Sequence, residues 1–261
     1  MTKVALLHYS APPVVGGVES VLGHQARLMA DAGLDVRIVA GRGEQTDPRI
    51  PFIHVPRADS RHPDILAMKA DLDAGRLPAG FSWLADSLAA ELNEALEETD
   101  ILIAHNVCSL NKNLALTAAV RNLSNIYQVI LWHHDLAWTT PRYRHELHEG
   151  YPWDLLRQAW DGVKQVTVSE ARRQELADLF QIPSDEITVI PNGVDVAAFH
   201  KLEAQTRDIV RQLDLLKASP LFLLPVRITP RKNIELALRV CANLLPHFPI
   251  CPIHSPRNSS L

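Results

Sequence analysis

The sequence predicts an α/β fold built on a doubly wound parallel sheet, and three observations carry that reading. Short β-rich apolar runs alternate with helix-length amphipathic stretches from the N-terminus to about residue 190. The first two runs are joined by a glycine-bearing loop and a helix, the pattern of a right-handed βαβ unit. Polar residues collect just after several of the apolar runs, where ligands bind in such sheets.

Lys3–Tyr9 (KVALLHY) reads as a buried strand, and Ser10–Gly17 as a loop broken by two prolines and two glycines. A helix is predicted over Val18–Ala32, stopped by Gly33, then a strand over Leu34–Ala40. A short strand is expected at Phe52–Val55, with helices at Pro63–Ala74 and Phe81–Glu98. Asp100–His105 is the next strand, followed by a helix from Ser109 to Leu123 and a strand at Tyr127–Trp132. A long polar and aromatic loop (135–152) leads to a short helix at Trp153–Trp160 and a strand at Val163–Val168. Ser169 is suited to cap a helix running to Phe180, and Glu186–Ile190 is the last strand of the unit.

Ile190-Pro191-Asn192-Gly193-Val194-Asp195 reads as a seam. Residues 1–200 form the first domain of this reading, and 201–261 the beginning of a second. The second holds a helix at Leu202–Leu216, a strand at Leu221–Val226, a basic loop (RITPRKN) and a helix at Ile234–Leu245. From about residue 247 three prolines and the loss of any regular period give an irregular tail, read as a foreign, frameshifted or truncated ending.

Composition narrows the function classes. Hydrophobic residues make up 47% of 261, enough for a substantial core. A net charge of −4 gives no nucleic-acid footprint. No apolar stretch is long enough to span a membrane, and the first nine residues are no signal peptide. Three scattered cysteines without a CxxC pattern point to a reducing, cytoplasmic setting.

The candidate site residues are the polar groups at the strand ends. Gly16, Gly17 and Glu19 open the first helix, where free N–H groups favour an anion; a plain turn is the alternative. The spacing is not that of a dinucleotide fingerprint. His105 and Asn106 end one strand; His133, His134 and Asp135 end another, as substrate hydrogen-bonding groups or as strand caps. Ser169, Asn192 and Gly193 complete the edge. Arg227 and Lys232, five residues apart before a helix, can clamp a diphosphate or remain a solvated basic loop. His145 and His148 in HELHE lack the H-E-x-x-H zinc spacing, so no metal site is assigned and the loop is read as contacting an acceptor.

Together these segments resemble the retaining GT-B glycosyltransferases of the family-4 type (glycosyltransferase group 1). The matches are GGVE at 16–19, the histidine before Asp135, VSE at 168–170, IPNGVD with Phe199, and Arg227 with Lys232-Asn233. His105–Val107 and the HDLAW…YPWDLL stretch resemble a subgroup acting on small acceptors such as glucosylglycerate-like compounds. The resemblance implies two Rossmann-like domains, with a hexose passing from a nucleotide-diphosphate sugar to a small-molecule or glycan acceptor. It implies front-face attack with retention, His134 (or His133, one register away) on the donor sugar, and Gly17 approaching the ligand through its backbone. Arg227 and Lys232 would stabilise charge on the leaving diphosphate. Implied partners are the nucleotide-sugar donor and a sugar or polyol-type acceptor. No cofactor is identified; Mg2+ is compatible with a diphosphate, but no residue pattern calls for it. The family's later E-x7-E pair is not reached before the sequence ends, so weak donor binding and little turnover are expected. A non-catalytic acceptor-binding or partner protein and a nucleotide-sugar 2-epimerase-like enzyme are the competing readings. The oligomeric state is not encoded in any of these motifs.

Overall fold

The computed structural model describes residues 1–194, 203–217, 222, 224, 226 and 228–244. Seven parallel strands form one sheet in the order β3-β2-β1-β4-β5-β6-β7. They are β1 (Lys3–His8), β2 (Asp35–Ala40), β3 (Phe52–His54), β4 (Ile101–His105), β5 (Gln128–His133), β6 (Lys164–Thr167) and β7 (Ile187–Val189). The order reverses between β1 and β4, which pair in register from Val4↔Ile101 to Leu7↔Ala104. At such a switch point successive connections leave on opposite faces and open a crevice at the carboxyl edge.

Both faces of the sheet are covered, as apolar parallel strands require. Alternation along β1 sends Ala5 and Leu7 into one core cluster and Val4 and Leu6 into the other. Helix α1 (Gly17–Asp31) buries Leu22 and Ala26 on the second face. Helices α2 (Pro63–Asp73), α3 (Phe81–Ala95) and α4 (Leu114–Leu123) pack on the first, with Leu72, Leu88, Leu92 and Leu116 among the enclosed side chains. Helix α5 (Glu170–Phe180) closes a smaller cluster of Leu136, Leu176, Ala177, Phe180 and Ile187.

The elements depart from expectation in a few places. The helix predicted from Ser109 starts at Leu114, because Asn113 caps it by accepting from the Leu116 N–H at 3.0 Å. Helix α3 ends at Ala95 rather than Glu98, which has φ +61° and cannot continue the helix. The helix expected over 153–160 is a single 3-10 turn, Trp153–Leu156. The fifth strand extends one residue further, through His133.

The chain divides into two compact units, Met1–Gly193 and Val194–Leu261. In the second unit the described elements include α6 (Ala204–Gln212) and α7 (Ile234–Leu244). Asp195, Phe199, Arg227 and the tail from residue 245 lie outside the described residues. Most of the expected strand 221–226 is not described either, and Phe222, Leu224 and Val226 carry no strand.

Candidate active site at the carboxyl edge of the sheet

The ends of β1, β4 and β5 converge on one hydrogen-bonded cluster. Its hub is Asn106, the first residue beyond β4. Asn106 has φ +57°, a left-handed conformation that asparagine tolerates better than most residues. Its backbone N–H still donates to the Trp132 carbonyl of β5 at 2.9 Å. The turn aims its side chain across at the next loop. There Oδ1 accepts from the His134 N–H at 2.8 Å, from the Asp135 N–H at 3.2 Å and from the Ser109 hydroxyl at 3.3 Å. Two backbone donors on one atom fix it as the amide oxygen.

His134 is thus held by its backbone, and its ring meets a second histidine: Nε2 lies 3.2 Å from His105 Nδ1. His105 is fully buried, stacks on Trp132 with centroids 5.3 Å apart and planes 23° apart, and has Nε2 enclosed without a hydrogen-bond partner among the described residues. Burial, with His134 and His8 nearby, holds the His105 pKa well below its ordinary value. His134 is pushed down to about 4, again by burial. Both rings are neutral at pH 7.

His133 has a different role. It is the last residue of β5, 1% exposed, with Nε2 2.8 Å from Gln165 Oε1 and its ring edge-on to Phe180 at 6.0 Å. Burial lowers its pKa to about 4. The structure therefore places His133 in the packing and His134 at the half-buried edge.

Sequence reasoning missed the end of β1, although it obeys the same strand-end rule. His8 Nδ1 donates to the His105 carbonyl at 2.7 Å and is pushed down to about 4 by burial. The Tyr9 hydroxyl donates to the Asn106 carbonyl at 3.2 Å. The Ser10 hydroxyl donates to Glu19 Oε1 at 2.8 Å.

That last bond changes the reading of the GGVE turn. The Glu19 carboxylate folds back over Gly16, filling the place a Cβ would take, whereas Gly17 faces open space. The Glu19 carboxylate thus lies at the start of α1, favourably placed against the helix dipole.

Of the other candidates, Ser169 caps α5 by accepting from the Arg172 N–H at 3.2 Å and is exposed, its O–H still free to donate. Asn192 and Gly193 are exposed at the end of the first unit. Lys232 is exposed in the 3-10 turn Pro230–Lys232 of the second unit, and Arg227 is not described. The structure thus brings together Asn106, His105, His134 and Asp135, with Glu19 tied to the end of β1. In the HELHE segment His148 Nε2 donates to the Asp73 carbonyl at 3.0 Å and packs edge-on to Trp153. Among the described residues no group of three His, Cys, Asp or Glu is placed to hold a metal ion.

A cavity of about 340 Å³ lies between α1 and the segment after β2, lined by Ser20, His24, Arg27, Gln45, Asp47 and Phe52. None of the strand-end histidines lines it.

Comparison with known proteins bears on the family and the fold. A family model described as Glycosyltransferase Family 4 matches residues 15–198. The chain is 26% identical to mannosylglucosylglycerate synthase of Thermotoga maritima over 259 residues, covering 93% of this chain and 57% of that protein. It is 24% identical to an MMP alpha-(1->4)-mannosyltransferase of Mycolicibacterium hassiacum over 269 residues, covering 90% of this chain and 64% of that protein. The chain therefore spans about three fifths of the length of these relatives. Among solved structures, WaaG, a glycosyltransferase involved in lipopolysaccharide biosynthesis, superposes with a TM-score of 0.57 at 16% identity, over 92% of this chain and 59% of that one. At that identity the likeness is one of fold, and the fold is the GT-B type.

Proposed function

The chain belongs to Glycosyltransferase Family 4, and from that premise we propose that it serves transfer of a hexose from a nucleotide-diphosphate sugar to a hydroxyl acceptor with retention of configuration. The observation that carries this reading is His134: a neutral imidazole fixed at backbone and ring, at the carboxyl edge of the sheet beside the switch point. A rigid neutral ring there offers a hydrogen bond to a sugar hydroxyl without a charge to be desolvated. The acceptor is taken to be a small sugar or polyol, a reading supported by the likeness to mannosylglucosylglycerate synthase.

In the proposed reaction the bond from the anomeric carbon to the diphosphate oxygen breaks, and the acceptor oxygen bonds the same face. The acceptor proton passes to the departing phosphate. His134 orients the sugar, Gly17 lets a ligand approach backbone, and Arg227 and Lys232 offset charge on the diphosphate. Free thiols at Cys108 and Cys241 fit a cytoplasmic setting. No helix among the described residues is long and apolar enough to cross a membrane.

Calorimetric titration with nucleotide-sugars tests the reading on wild type, His134→Ala and His133→Ala. Wild type is expected to bind in the millimolar range or tighter. His134→Ala should bind about tenfold more weakly, the loss of one hydrogen bond in a fixed geometry. His133→Ala should instead lower the unfolding midpoint. Undetectable wild-type binding at millimolar donor, or unchanged affinity in His134→Ala, would refute it.

A further inference from the structure

We propose that His105 is a positioning residue that sets the tautomer of His134, so that His134 offers substrate a proton from Nδ1 instead of an acceptor lone pair. The inference rests on the reading of His134 as a sugar-contacting group, but its structural part can be tested apart from it.

The two rings share one proton between His105 Nδ1 and His134 Nε2, 3.2 Å apart. Two arrangements are available to neutral rings. In one, His134 Nε2–H donates to His105 Nδ1, and His105 then carries its own proton on Nε2. That nitrogen is enclosed and has no partner among the described residues, so the arrangement buries an orphaned N–H. In the other, His105 Nδ1–H donates to His134 Nε2, and the enclosed His105 Nε2 holds only a lone pair. Orphaned buried N–H groups are the rarer of the two kinds in folded proteins. The second arrangement is therefore preferred, and it leaves the remaining proton of His134 on Nδ1.

A flip of the His105 ring would bring Cδ2 opposite His134 in place of Nδ1 and forfeit the bond between the rings. Its ring is stacked on Trp132. Its carbonyl is held by His8 Nδ1 at 2.7 Å, and Asn106 next to it is locked to His134 and Asp135. His105 is 0% exposed and so does not contact substrate itself; it acts through His134. The consequence concerns specificity. A ring that can only donate from Nδ1 favours a ligand oxygen with a free lone pair, and offers nothing to an ammonium or amide N–H.

Long-range proton–nitrogen NMR on the 261-residue chain reads the tautomer directly. In wild type, His134 Nδ1 should resonate in the protonated range and Nε2 in the unprotonated range. The opposite assignment would overturn the proposal. His105→Phe keeps a ring against Trp132 but removes the donor, and should scramble the His134 tautomer and weaken nucleotide-sugar binding by about fivefold to tenfold. His105→Asn places an amide N–H near the position of Nδ1 and should restore both. A His134 tautomer unchanged in His105→Phe would refute the positioning role. If His105→Phe does not fold, the wild-type and His105→Asn spectra still decide. A correct tautomer in a chain that binds no nucleotide-sugar would leave the His105–His134 tautomer assignment standing and remove the functional reading instead.

Discussion

Replacing Asn106 is the sharpest test of how the site is assembled. Its Oδ1 receives two backbone N–H groups and one hydroxyl, and Asn106 itself is 3% exposed. Removing the amide in Asn106→Gly orphans the two N–H groups, while the Ser109 hydroxyl keeps the residue-106 carbonyl at 3.4 Å. A fully buried orphan costs about 1–3 kcal/mol, but His134 and Asp135 are half-buried and water can reach part of the gap, so about 2–3 kcal/mol in total is expected. Asn106→Ala loses the same bonds and must also hold a Cβ at φ +57°. That conformation costs an L-residue about 1–2 kcal/mol, while the extra unfolded-state freedom of glycine offsets about 0.5–1. Alanine should therefore be about 1 kcal/mol less stable than glycine, the reverse of the usual order. Urea unfolding followed by tryptophan fluorescence gives the ranking, and amide exchange at His134 and Asp135 shows whether these N–H groups were released. Equal stability of all three proteins, or alanine above glycine, would show that Asn106 is not the hub described.

Two further outcomes follow from the same edge. Burial pushes His8, His133 and His134 down to about 4 in the folded chain, against 6.5 for an ordinary histidine. Between those values the unfolded chain binds protons the folded chain refuses, so stability should be flat above pH 7 and fall as pH drops from about 6.5 to about 4, by up to roughly 1.4 kcal/mol per unit for each ring. Urea midpoints at pH 7.5 and 5.0 check this, and a pH-independent midpoint would contradict the buried neutral rings. The second outcome concerns two glycines. A Cβ on Gly41 would collide with the Asp59 backbone, whereas one on Gly16 meets the flexible end of Glu19. Gly41→Ala should cost about 1–3 kcal/mol as an overpacked site, and Gly16→Ala about 1 kcal/mol at most, for the lost Ser10–Glu19 bond; the reverse order in urea would refute the packing described.

The sheet was legible because its signals are local: apolar runs, glycine-bearing loops and Ser169 as a cap all act over a few residues. The hub was legible only by type. Asn106 stood out as a strand-end polar residue, but its left-handed turn depends on Trp132, 26 positions away, taking its N–H. The start of α4 failed for a related reason. Ser109, Asn111 and Asn113 are all good capping residues within five positions, and the choice among them is tertiary: Asn113 Nδ2 is drawn to the Arg57 carbonyl at 2.9 Å. The place of Glu19 at the GGVE turn was not legible, although Glu19 belongs to the motif itself. A carboxylate three residues into the helix can reach back over the turn, a contact the glycines alone do not announce.

The neighbouring histidines show why the site forms where the sheet ends. His133 is the last residue in register, opposite Thr167 of β6, and its ring is spent on Gln165 and Phe180. His134 is the first residue off the ladder. Its N–H no longer has a strand partner, and Asn106 supplies one from the neighbouring strand end. One step along the chain therefore converts a ring that stiffens the sheet into one that faces the edge while keeping the sheet's rigidity. A loop further out would give a freer histidine with a larger ordering cost on binding. A residue further in would be fully buried, as His133 and His105 are. Only the position between these limits offers a hydrogen bond that is both accessible and already oriented, which is the property the proposed sugar contact requires.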